Sequence, residues 1–189
     1  MTGLEFSTYK TFLAVDRDGT LVGTCNANFE AYRLALKEFG IKDPKNLKDR
    51  LHEGQSWAKI CSSEFPNLSQ SMLSEIGCLK AEIFPNNLHL LDWNYELIEA
   101  ITSRSWALIS NGSVASSTLI LGTQPSLSPV AIIGPNKGLF PKPSPDMYNH
   151  LVSNMRIRAS EILVLEDSEI GKNAAELAGL EVRMISHRC

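Results

Sequence analysis

The chain has 189 residues, 43% hydrophobic and 21% charged, with a formal net charge of −3. That balance describes a soluble globular protein of one good-sized domain, or one domain with a smaller insertion. It leaves no footprint for nucleic acid or an anionic membrane, and no stretch is long and apolar enough for a signal peptide or a bilayer span. The cysteines, Cys25, Cys61, Cys78 and Cys189, lack the paired spacing of zinc or redox sites and are expected to be reduced thiols of a cytoplasmic protein.

The first element is predicted at Phe12-Leu13-Ala14-Val15, a short apolar run that stops at Asp16-Arg17-Asp18-Gly19-Thr20. Such a run suits a strand buried on both faces of a parallel sheet. Asp16 then stands at the carboxyl end of a strand, the edge where open α/β sheets bind ligands. A period of two puts Asp16 and Asp18 on one side and turns Arg17 away. Gly19 permits a sharp turn. Phe29, Tyr32, Leu36 and Phe39 then share a helix face, with Asn26 or Asn28 as cap and Gly40 as stop. Residues 41–55 are polar and read as a connection. Trp57, Ile60 and Cys61 mark a short helix ending before Pro66, and Met72, Leu73, Ile76 and Leu79 another after Ser69. No strand is expected between 22 and 84, so this stretch reads as an inserted helical domain.

From Pro85 strands and helices alternate. A helix at Leu97–Ile101 leads to a strand at Trp106–Ile109 ending in Ser110-Asn111-Gly112. A helix at Val114–Leu121 precedes a strand at Val130–Ile133. A helix over Pro145–Met155 precedes a strand at Ile162–Leu165 ending in Glu166-Asp167. A helix over Ile170–Ala178 stops at Gly179, and Val182–Ile185 is the last strand. This alternation predicts an α/β fold, a parallel sheet with helices on both faces.

In a parallel sheet the polar ends Asp16/Asp18, Ser110/Asn111 and Glu166/Asp167 fall on one edge. Lys142 precedes a helix nearby in sequence. Each has an ordinary reading as a turn, a solvated lysine or a helix cap. Together they suit phosphoryl transfer. One carboxylate can attack phosphorus and carry the phosphoryl group, while a second gives a proton to the leaving oxygen and later takes one from water.

These residues resemble the four motifs of the haloacid dehalogenase superfamily, in its helical-cap branch with β-phosphoglucomutase and small phosphatases. Asp16-Arg17-Asp18-Gly19-Thr20 matches the first motif, Leu108-Ile109-Ser110-Asn111 the second and Lys142-Pro143 the third. Val164-Leu165-Glu166-Asp167-Ser168, followed by Gly171 and Ala174-Ala175, matches the fourth. The resemblance implies a Rossmann-like three-layer core from 1–21 and 85–189, with a small helical cap at 22–84. It implies Asp16 as nucleophile and Asp18 as general acid/base, the latter also offering its carbonyl to a metal. Asp16, Glu166 and Asp167 would hold Mg²⁺. Ser110 and Lys142 would bind the equatorial phosphoryl oxygens, with Asn111 adding a donor and Thr20 fixing the turn.

Gly54-Gln55-Ser56 resembles the cap's substrate-facing loop, which makes Gln55 and Trp57 candidate substrate contacts, although Trp57 also suits cap core. Gly23 replaces an acid common in the family, and Asn28 stands where mutase-like members have histidine. The expected activity is a Mg²⁺-dependent phosphatase for a small phosphorylated metabolite, working as a monomer or weak homodimer without nucleic acid or membrane. A phosphomutase and a catalytically silent phosphate-binding module are the alternatives. A dehalogenase has no need of Asp18.

Overall fold

The computed structural model describes Leu4, Phe6, residues 9–52, Gln55, residues 57–185 and His187. Gly54, Ser56 and Cys189, named above, lie outside the described residues. The chain divides into two compact units. One runs from the amino terminus to Gly23 and resumes at Trp93; the other is Thr24–Asp92.

Among the described residues, five parallel strands form the sheet of the first unit. They are β1 (Phe12–Val15), β4 (Ser105–Ile109), β5 (Ala131–Ile133), β6 (Ile162–Glu166) and β7 (Glu181–Met184), in the order β5-β4-β1-β6-β7. This is the expected Rossmann-like α/β core. Every residue of β1 is buried, because the sheet is covered on both faces and β1 lies at its centre. On one face Phe12 and Ala14 pack with Ile109, Ile162 and Val164 beneath α7 (Asp146–Met155) and α8 (Glu169–Leu177). By contrast β7 carries Glu181 and Arg183 and is largely exposed, as suits an edge strand.

Helix starts follow capping chemistry. Asn94 caps α5 (Tyr95–Thr102), Ser113 caps α6 (Val114–Leu121) and Ser168 caps α8, each side-chain oxygen accepting from a backbone N–H of the first turn. Asn94 also ties the segment after the insertion to the segment before it. Its N–H donates to the Leu21 carbonyl and its Nδ2 to the Thr20 carbonyl, both at 3.1 Å.

The second unit is helical: α1 (Cys25–Glu38), α2 (Leu47–His52), α3 (Trp57–Glu64) and α4 (Gln70–Ile83), followed by a 3-10 helix at Phe84–Leu90. Its core gathers Leu36, Leu47, Ile60 and Ile76.

Several expectations change here. The first helix begins at Cys25, with Thr24 rather than Asn26 or Asn28 at its cap position; Asn28 Nδ2 instead donates back to the Thr24 carbonyl at 3.0 Å. The polar connection contains α2. The stretch expected to lack strands opens with β2 (Val22–Gly23), which forms a two-stranded sheet with β3 (Asp92–Trp93). The compact units divide at Asp92/Trp93, and the 3-10 helix extends the helical path of α4 past Phe84.

Candidate active site

The register of the sheet brings the site together. Val15 lies opposite Leu108 on β4 and Leu165 on β6. One residue further on, Asp16 therefore falls between Ile109 and Glu166. Its N–H donates to the Leu165 carbonyl at 2.9 Å, and the N–H of Ser110 donates to the Ile133 carbonyl at 3.0 Å. Extended chain ends there. Gly19 adopts φ +84°, and a Cβ at that position would run into the Asp167 carboxylate. Both facts demand glycine: the backbone is left-handed and an acid needs the space.

Lys142 organises the interior of the site. It is 6% exposed, and its Nζ donates to Asp16 Oδ1 at 2.6 Å, to the Ile109 carbonyl at 3.0 Å and to Glu166 Oε1. All the donors of an ammonium are thereby used. Asn111 holds the lysine backbone from both sides, with Oδ1 accepting from the Lys142 N–H at 2.7 Å and Nδ2 donating to the Lys142 carbonyl at 3.1 Å. Both ends of the Asn111 amide are thus engaged by the Lys142 backbone.

Glu166 is fully buried. Its Oε2 accepts from the N–H groups of Asp167 and Ser168, each at 3.0 Å, and from Ser168 Oγ at 2.9 Å. A side chain at Gly171 would collide with this carboxylate. Asp16, Glu166 and Asp167 nonetheless form a cluster able to hold a metal ion, one oxygen from each lying within 4.8 Å of the others. Its donors are carboxylate oxygens alone, the set that suits a hard divalent cation.

Without such a cation Asp16 and Asp167 resist ionisation. Burial, reinforced by Glu166 and Asp18 and opposed by Lys142, pushes Asp16 up to about 8. Partial burial and neighbouring Glu166 push Asp167 up to about 6. Burial works against the charge of Lys142, yet Asp16 and Glu166 hold its pKa above the usual lysine range. In the unfolded chain an aspartate titrates near about 3.9. The folded state thus binds more protons between that pH and about 8. The carboxyl contribution to stability is complete below this window and is lost as pH rises through it. In excess chelator, thermal unfolding should therefore move to lower temperature as the pH is raised across the window. An unfolding temperature that is flat or rises would show that Lys142 keeps Asp16 ionised throughout.

Ser110 Oγ donates to Asp18 Oδ2 at 3.4 Å and accepts from the Gly112 N–H at 3.0 Å. Thr20 Oγ1 lies 3.5 Å from Asp167 Oδ1. Arg17 departs from expectation. Turned from Asp16, it folds onto Asp18 and is itself buried. A charged residue beside a buried strand end was a signal that it had partners. Tyr148 was also missed. In α7 its ring lies 5.6 Å from Lys142 Nζ, and its hydroxyl is buried without a hydrogen-bond partner among the described residues.

The two cap candidates belong to the helical unit. Gln55 Oε1 accepts from Arg50 Nε at 3.0 Å. Trp57 stacks on Tyr32 with ring centroids 4.2 Å apart and packs against the helical core. It also lines a cavity of about 500 Å³ with Phe65 and Leu73. Its indole N–H is buried without a partner among the described residues. Trp57 thus lies in the core of the helical unit and lines its cavity at once, and Gln55 is joined to α2 through Arg50.

A parallel α/β sheet with a buried aspartate at the end of its central strand, a lysine against it and acids beside it defines a Rossmann-like hydrolase. The chain belongs to the haloacid dehalogenase-like hydrolase family, whose model matches residues 14–185. No curated protein matches it in sequence. Solved structures share the fold. A haloacid dehalogenase-superfamily hydrolase of subfamily IA from Geobacter sulfurreducens is 18% identical, covering 92% of this chain and 86% of that one, with a TM-score of 0.71. A predicted phosphoglycolate phosphatase from Haemophilus somnus is 20% identical, covering 93% and 84%, with a TM-score of 0.76. CbbY from Rhodobacter sphaeroides, in complex with phosphate, is 18% identical, covering 94% and 86%, with a TM-score of 0.75. No helix among the described residues is long and apolar enough to cross a membrane.

Proposed function

We propose that this chain is a Mg²⁺-dependent phosphatase that hydrolyses a small phosphorylated metabolite through an aspartyl-phosphate on Asp16. The observation that carries this reading is the seating of Asp16: buried at the sheet edge, ion-paired to Lys142 at 2.6 Å, and clustered with Glu166 and Asp167. In this reading Asp16 attacks phosphorus and the bond to the leaving oxygen breaks, with Asp18 giving that oxygen its proton. Water then attacks the acyl phosphate while Asp18 takes its proton, releasing phosphate and restoring the Asp16 carboxylate. Lys142 and Ser110 stabilise charge on the phosphoryl oxygens. Asp16, Glu166 and Asp167, with the Asp18 carbonyl, would hold Mg²⁺, which supplies positive charge that offsets repulsion between carboxylate and phosphate. The cap role assigned to 22–84 is part of the same proposal. A phosphate complex of CbbY and the phosphatase name of the Haemophilus protein support a small phosphorylated substrate.

Hydrolysis is favoured over a mutase by Asn28. Its Oδ1 accepts from Lys80 Nζ at 2.6 Å and its Nδ2 donates to the Thr24 carbonyl. An amide held in this way cannot relay a proton as a histidine can. The test is phosphate release from p-nitrophenyl phosphate and from a panel of phosphorylated sugars and short acids. Release should stop with chelator and return with Mg²⁺. Full activity in excess chelator would remove the metal role, and primer-dependent conversion of β-glucose 1-phosphate to glucose 6-phosphate would make the protein a mutase.

A further inference from the structure

Arg17 is 6% exposed, a costly place for a guanidinium unless its donors are met. They are met on two sides. Nε and Nη2 donate to Asp18 Oδ2 at 3.0 and 2.7 Å. Nη1 donates to Ser117 Oγ at 2.8 Å and reaches Ser116 Oγ at 3.4 Å. Ser117 is itself buried, on the first turns of α6. Between these contacts the guanidinium packs against Gly112. A Cβ there would overlap Nη2 and stand 2.8 Å from Nη1 and Cζ. Gly112 in turn donates its N–H to Ser110 Oγ, which reaches the same Asp18 oxygen at 3.4 Å. Asp18 Oδ2 thus collects donors from Arg17 and from the loop after β4, and Arg17 is anchored to the helix that follows that loop.

We propose that Arg17 is a positioning residue that fixes the Asp18 carboxylate against the Ser110–Gly112 loop, and so against the oxygen of the departing group. This rests on the phosphatase reading, in which Asp18 transfers the proton. A planar fork suits the task better than lysine, because it can hold a carboxylate along one edge while a second edge stays fixed to the scaffold. Proton transfer by a placed side chain contributes about 10²–10⁴-fold to rate, and that contribution depends on orientation. It is needed most when the leaving group is a poor one. An alkyl phosphate, whose alkoxide must be protonated, therefore reports on Asp18 far more than p-nitrophenyl phosphate does.

The experiment compares kcat on an alkyl phosphate with kcat on p-nitrophenyl phosphate, in saturating Mg²⁺, for wild type, Arg17→Met, Ser117→Ala, Asp18→Asn and the Arg17→Met/Asp18→Asn double variant. The alkyl-to-aryl ratio should fall about tenfold or more in Arg17→Met, a share of the general-acid contribution. It should fall in the same direction and by less in Ser117→Ala, which keeps the charge and removes one anchor. Arg17→Met should lower the ratio no further once Asp18 is Asn, since residues acting as a unit are not additive. Equal loss on both substrates, or ratio effects that multiply in the double variant, would reduce Arg17 to a structural ion pair. Should Arg17→Met fail to fold, an unchanged ratio in Ser117→Ala would overturn the assignment. A wild type that releases phosphate from neither substrate overturns the phosphatase reading and this assignment with it. A wild type active on both, with its ratio intact in the Arg17 variant, overturns the assignment alone.

Discussion

Asp16→Asn should lower phosphate release from p-nitrophenyl phosphate by about a thousandfold or more, because the step that forms the covalent intermediate has no substitute. An amide oxygen is a poor nucleophile, yet it is nearly isosteric with the carboxylate and can still accept from Lys142 Nζ. The fold should therefore survive. The same change should stabilise the metal-free protein at high pH. Asp16 is buried beside Glu166 and Asp18 and its pKa is pushed up to about 8. Above that pH the wild type must bury a carboxylate that the variant lacks, so the variant should unfold at the higher temperature there. Enzyme assays and thermal unfolding in chelator check the two halves separately. Turnover near that of wild type, with contamination excluded, would take the nucleophile away from Asp16.

Lys142→Met should lose both activity and stability. The lysine sits between two buried carboxylates, with 3% of its own side chain exposed against 10% for Asp16 and 1% for Glu166. Removing one partner from a buried ionic cluster typically costs roughly 3–5 kcal/mol, because the remaining charge is left without compensation. Denaturant unfolding at neutral pH should show that loss. Adding Glu166→Gln to the variant should recover part of it, since neighbouring sites in one network couple. Turnover should drop by about a hundredfold or more, as expected when a preorganised positive charge beside the transition state is deleted. Additive losses in the double variant would mean that Lys142 and Glu166 do not depend on one another.

The sheet was legible because each buried strand is a continuous apolar run that stops at polar residues. Phe12–Val15 and Ile162–Glu166 could hardly lie anywhere but the centre, and their ends mark the site without further information. Apolar periodicity also revealed α4 and its serine cap. What escaped the sequence were features set by a partner far along the chain. The two-residue strands Val22–Gly23 and Asp92–Trp93 pair with each other and carry no pattern of their own. Nothing around Asn111 in sequence shows that the Lys142 backbone will meet both ends of its amide. Arg17 followed the strand period, which turned it from Asp16, but periodicity does not describe the turn that brings it back to Asp18. The glycines at 112 and 171 likewise make sense only when the side chains filling their space are known.

The central place of β1 has a consequence for how the protein is made. Its four residues leave the ribosome before the whole of Thr24–Asp92, yet β4 and β6, the strands that flank it, follow that unit. The helical unit depends on contacts closer in sequence, which cost less loop entropy to close. Phe12–Val15 can meet β4 only once Ile109 has been synthesised, and its other edge stays without β6 until Glu166 has followed. The aspartate that follows it acquires its buried seat only when β6 joins the sheet, so a chain interrupted before β6 would lack the acidic cluster of Asp16, Glu166 and Asp167.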